Sequence, residues 1–131
     1  MRGLDFVIAA VASIVAAAMH GYIFTLESVL FSRPRTQRMF EYATDDLPAL
    51  RLWAFHQGVY NLLIGSTALA GAVALLTGST TVGITLVISA STFMIGAALA
   101  LIAADRRHAR IPGLVAQALP PIVALITLAF A

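Results

Sequence analysis

The sequence predicts an all-α integral membrane bundle of four transmembrane helices. Of 131 residues, 60% are hydrophobic and 11% charged, and the mean hydropathy is +0.94. The apolar residues also fall into four long runs with short polar segments between them. A soluble domain of this size cannot hide so much apolar surface, so the bilayer is expected to be the solvent. Four spans of ~20 residues use nearly the whole length. One domain over residues 1–131 is therefore expected, with no soluble domain beside it.

Span one is expected over about residues 4–31. Its Ala-rich first half lets a second helix come close, and its second half carries His20, Tyr22, Thr25 and Glu27. Met1-Arg2-Gly3 and Ala16-Ala17-Ala18 imitate a secretory signal with a cleavage site, but the apolar run continues to Phe31, too far for a signal core. A polar connection from Ser32 to about Pro48 follows. Pro34 disfavours helix continuation there, Arg33, Arg35 and Arg38 are followed by Glu41, Asp45 and Asp46, and Met39, Phe40 and Tyr42 suggest a stretch lying on the membrane surface.

Span two, about residues 50–77, has Asp46 or Thr44 as a candidate cap. Its first three turns hold Arg51, Trp53, His56, Gln57, Tyr60 and Asn61, and a Gly/Ala packing surface from Gly65 to Ala74 follows. Gly78-Ser79-Thr80-Thr81 reads as a tight turn. Span three, about residues 82–104, offers Ser89, Ser91 and Thr92 as interhelical hydrogen-bonders. Asp105 to Pro112 is a second charged connection, with Arg106, Arg107 and Arg110. Span four, about residues 113–131, contains Pro120-Pro121, expected to kink it and to free carbonyls near its middle.

There is no cysteine, which excludes disulfides, Cys-ligated zinc, iron–sulfur clusters and thiol nucleophiles. The net charge of +2 comes from eight arginines and no lysine, gathered mainly in two connections rather than on one continuous face. No nucleic-acid partner is expected; the charges instead place both basic connections in the cytoplasm and both termini outside. Only Arg2 opposes that orientation. Asp5, Asp45, Asp46 and His108 are expected at headgroup level.

His20 and Glu27 stand seven residues apart, on one helix face and roughly 10 Å apart along the axis, with Phe24 between them. On span two, Trp53, His56 or Gln57, and Tyr60 follow the same periodicity, and Asn61 adjoins them. Both clusters lie beside the same connection, so they are expected at similar depth, facing one pocket. Ionisable groups at membrane depth carry an insertion penalty of about 2.5–3.5 kcal/mol for Arg, Lys or Asp, so they usually face the bundle interior and mark function. A plainer possibility is that Glu27 snorkels outward while His20, Gln57 and Asn61 lock helices together.

Within such a pocket, Glu27 is expected to act as general acid, with His20 or His56 orienting or reprotonating it. Phe24, Trp53, Gln57, Tyr60 and Asn61 would bind substrate, the aromatic faces suiting a passing cation. An acid ringed by aromatics in a membrane is what proton-initiated isoprenoid chemistry requires. His20, His56 and Glu27 also include the donor types of a two-His, one-carboxylate metal set. They lack a tight local motif, however, and neither a metal nor another cofactor is expected.

The blocks His20-Gly21-Tyr22-Ile23-Phe24-Thr25-Leu26-Glu27 and Gln57-Gly58-Val59-Tyr60-Asn61, with Pro34, Phe40, Gln117 and Pro121, run across the chain. In these it resembles a family of small bacterial four-span membrane proteins known as domain of unknown function 1304. That family often reads Asn-Gln-Gly-x-Tyr-Asn in the second block; here His56 replaces the leading Asn, adding a titratable group. The resemblance implies the four-span fold and no activity. In size, span count and intramembrane carboxyl group, the chain also resembles the small integral-membrane terpene cyclases of bacterial meroterpenoid pathways, which implies an acid-initiated cyclase or isomerase.

Three functions follow as expectations. The first is an enzyme of that kind, acting on a lipophilic small molecule drawn from the membrane lipid. The second is a transporter or lipophilic-ligand binder that exchanges a proton at Glu27, which would call for a homo-oligomer. The third is an accessory subunit held by the Ala/Gly surfaces of spans two and three.

Overall fold

A computed structural model describes residues 2–40, 46–106 and 108–131. Its elements are α1 (Arg2–Phe24), prolonged by a π-helical turn (Thr25–Val29), then α2 (Pro34–Met39), α3 (Leu47–Leu76), α4 (Thr80–Ala104), a 3-10 turn (His108–Arg110) and α5 (Ile111–Ala129). Among the described residues there is no strand. The protein is an all-α bundle in which α1 with its π turn, α3, α4 and α5 are each long and apolar enough to cross a membrane. The expectations for Glu41, Tyr42, Thr44, Asp45 and Arg107 lie outside the described residues.

Local chemistry explains the helix ends. α3 starts at Leu47, three residues ahead of the expected boundary, because Asp46 Oδ1 accepts the Ala49 N–H at 3.2 Å and Pro48 occupies the first turn, where no N–H is needed. It ends at Leu76, and Gly78 just beyond has a φ of 86°, which is open to glycine and lets the Ser79 N–H reach back to Ala74 O at 2.9 Å. α2 opens on Pro34. α5 runs as one continuous helix through Pro120 and Pro121. Neither proline can donate, and the carbonyls of Ala116 and Gln117 lose their usual partners four residues on. The π turn was not expected; it ends span one with the Leu30 N–H on Thr25 O, five residues back, at 2.8 Å.

α1 packs on α3 and α5, and α4 packs on the same two, closing a four-sided ring. At the end holding the Gly78 turn, the ring is filled by small side chains. Ala9, Ala10, Ala72, Val87 and Ala124 are wholly covered, with Leu75 nearly so. A Cβ on Gly71 would lie 2.9 Å from Val87 N, and one on Gly83 would lie 2.8 Å from Leu75 N, so α3 and α4 touch backbone to backbone there. The next layer is Ala16, Ala68, Ala90 and Met94.

Large apolar side chains such as Leu4, Leu63, Leu99 and Ile126 point outward, as expected of helices whose solvent is hydrocarbon. Ser89, expected to bond across helices, instead donates to Thr85 O in its own helix at 2.8 Å. Ser13, Ser66, Thr67, Thr85 and Thr127 make the same four-residue back-bond. That bond satisfies a hydroxyl without any neighbour.

Candidate functional site

Away from the alanine layers the four helices enclose a cavity of about 690 Å³. α1 and its π turn contribute Met19, His20, Ile23, Leu26 and Glu27; α3 contributes Gln57, Tyr60, Asn61 and Ile64. The opposite walls are Phe93, Met94, Ala97 and Leu101 of α4 with Leu114, Ala116 and Gln117 of α5, while Met39, Phe40 and Arg110 lie at the loop end. Its size falls in the range of small-molecule sites.

Two glycines of α3 bring the polar residues of α1 inward. A Cβ on Gly65 would sit 3.3 Å from the His20 Cβ and 3.2 Å from Ala17 O. At Gly58, seven residues earlier, a Cβ would collide with Ser28 Oγ and lie 3.2 Å from the Glu27 Cβ. The two glycines thus press α3 onto α1 at the levels of His20 and Glu27. Ser28 Oγ adds a hydrogen bond to Phe55 O at 3.1 Å.

Glu27 is half-buried inside the π turn. Its Oε2 accepts from Asn61 Nδ2 at 3.1 Å, and the same amide donates to Gln57 O at 3.0 Å, so Asn61 is oriented by its own helix. His20 is 3% exposed, with Nδ1 2.9 Å from Ala16 O. A carbonyl only accepts, so Nδ1 carries a hydrogen and Nε2 of the neutral ring holds a lone pair. No buried side-chain nitrogen or oxygen among the described residues lacks a partner. Nε2, which makes no hydrogen bond, is therefore open to the cavity it lines.

The structure thus brings Glu27, His20, Gln57, Tyr60 and Asn61 to one cavity. Phe24, Trp53 and His56 are not among its lining residues. Trp53 is 70% exposed. His56 precedes Gly58 by two residues, about 200° around the helix, and so stands away from the face pressed on α1. Its ring meets that of Tyr60 edge-on, with centroids 5.6 Å apart. The sequence left positions 56 and 57 as equivalent; both are exposed, but the rotation set by Gly58 puts Gln57 on the rim of the cavity and His56 off it. Among the described residues no three His, Asp or Glu side chains converge as a metal set would.

Several lining residues were not foreseen as site residues. Phe93, Met94 and Leu101 belong to a helix that is apolar all round, where no periodicity marks the inner face. Gln117 had a signal, being the one side-chain amide in a span otherwise almost wholly apolar. Arg110 counted only as a topological charge, yet it donates through Nε to Asp105 Oδ2 at 3.1 Å and through Nη2 to Phe40 O at 2.8 Å. It ties the loop before α5 to the end of α2 and closes the loop end of the cavity.

No curated protein and no solved structure matches the chain significantly. Residues 14–129, which hold every residue of the cavity, match the family described as "Protein of unknown function (DUF1304)", and the chain belongs to that family.

Proposed function

We propose that this protein is a membrane-embedded acid–base enzyme that isomerises or cyclises an isoprenoid-like lipid. The observation that carries the proposal is that a carboxyl group and an imidazole lone pair, neither held in an ion pair, open onto one largely apolar cavity. With Oε2 occupied by Asn61, Oε1 of Glu27 is the oxygen left to carry a proton. Transfer of that proton to an alkene or epoxide of the substrate generates a carbocation. The ring faces of Tyr60 and Phe93 favour the cation, and the Asn61 N–H stabilises the carboxylate left behind. Loss of a proton from the neighbouring carbon to His20 Nε2 completes an isomerisation, or a cyclisation if the chain's own double bond has attacked first. Return of that proton to Glu27 closes the cycle without a cofactor.

A carrier would need a path through the bundle, and the fully covered alanines at the opposite end favour a blind cavity instead. In the same proposal the arginine-rich loop end faces the cytoplasm of a bacterial cell, with both termini outside.

The test uses purified protein in lipid nanodiscs with prenylated and epoxidised isoprenoids. Turnover should fall at least ~100-fold in Glu27→Gln, the scale of a lost general acid, and likewise in His20→Phe, with folding preserved. Undiminished turnover in Glu27→Gln would remove the carboxyl group from the chemistry.

A further inference from the structure

Gln117 has no role in the proton chemistry, yet it is partly buried in the cavity wall on α5 and makes no hydrogen bond to the described residues. Ala116 and Gln117, whose carbonyls lose their helical donors to Pro120 and Pro121, both line the cavity. One patch of α5 therefore presents an amide donor together with under-used acceptors. A hydroxyl group, which donates one hydrogen bond and accepts others, complements both at once. A hydrocarbon would leave them unpaired in an apolar site, which is unfavourable.

Charge around the cavity disfavours an anionic head. Glu27 opens into the same space, and the single arginine among the described residues of its wall, Arg110, is already bonded to Asp105 and to Phe40 O. Tyr60 of α3 and Phe93 of α4 line the cavity while being 53% and 55% exposed. The cavity thus reaches the lipid-facing surface between these helices, a route suited to an uncharged molecule.

We propose that the cavity selects an uncharged isoprenoid alcohol, whose hydroxyl is held by Gln117 and the proline-freed carbonyls of α5, over its phosphorylated counterpart. This rests on the cavity being the substrate site of the proposed enzyme, and it names the substrate class. Anchoring the hydroxyl on α5 leaves the hydrocarbon to extend across the cavity towards His20 and Glu27 on α1.

The experiment measures displacement of tritiated geranylgeraniol from the detergent-solubilised full chain. Competitors are unlabelled geranylgeraniol, geranylgeranyl diphosphate and the corresponding hydrocarbon. The alcohol should compete about tenfold better than either, the scale of one or two hydrogen bonds in such a site. Gln117→Leu should erase the advantage of alcohol over hydrocarbon and leave hydrocarbon binding as it was. Equal or better competition by the diphosphate overturns the proposal from the unmodified protein alone, whatever the variant does. Unchanged selectivity in a folded Gln117→Leu overturns it as well. The enzyme proposal fails separately: the alcohol then binds as described while Glu27→Gln leaves turnover unchanged. Turnover of a diphosphate that Glu27→Gln abolishes would instead keep the enzyme and overturn the alcohol.

Discussion

The two ends of the bundle use the same small residues to opposite effect. Around Gly71 and Gly83 close approach of α3 and α4 leaves no space, and alanines with no exposure fill the ring. Around Gly58 and Gly65 a close approach of α3 and α1, made at Gly58 against side chains of the π turn, lies beside a cavity, because the remaining walls are built by larger side chains that stop short of one another. Close packing is therefore not what distinguishes the half that holds the cavity. What distinguishes it is that two helices are clamped together while the other two stand back, so that a carboxyl group and an imidazole are held in place beside open space.

The sharpest way to break this contrast is to overpack each end in turn. Gly71→Ala and Gly58→Ala should each destabilise the bundle by about 1–3 kcal/mol, as inserted methyl groups do in filled sites, measured by unfolding in mixed micelles. Only Gly58→Ala should also lower turnover per folded molecule, because its methyl group displaces the Ser28–Glu27 turn. Equal effects on turnover would show that the two ends are not functionally distinct. A smaller effect is expected from Asn61→Ala, which removes the amide from Glu27; interhelical hydrogen bonds in membranes average about 0.6 kcal/mol. Its signature should be a loss of turnover out of proportion to that small loss of stability. The smallest effect belongs to His56→Asn. The side chain is exposed and off the cavity, so turnover should stay within about twofold, the scale of surface substitutions. A large loss would mean that Tyr60 passes the influence of His56 inward.

The fold was legible because composition and length leave a membrane chain few options: four apolar runs must become helices that satisfy their own backbones. The α1 and α3 half of the site was legible for a related reason. His20, Glu27, Gln57 and Asn61 are polar interruptions in apolar helices, and helical spacing puts them on shared faces. What could not be read was rotation and the opposite walls. Choosing Gln57 over His56 depends on which side Gly58 presents to α1, a tertiary contact. The α4 wall is apolar within an apolar helix, so nothing separates its inner from its lipid-facing residues. Arg110 looks in sequence like any other loop arginine; its role arises from a carbonyl seventy positions earlier in the chain.

The π turn at Thr25–Val29 has a consequence for how such a protein can diversify. A π turn accommodates one residue more than the α-helix would hold over the same stretch. Deleting a single residue there can restore regular winding, swinging the acidic group about a quarter-turn or more around the helix while the alanine-packed end keeps its register. The position of the Glu27 carboxyl group can thus be retuned by one codon, independently of the packing that keeps the molecule folded.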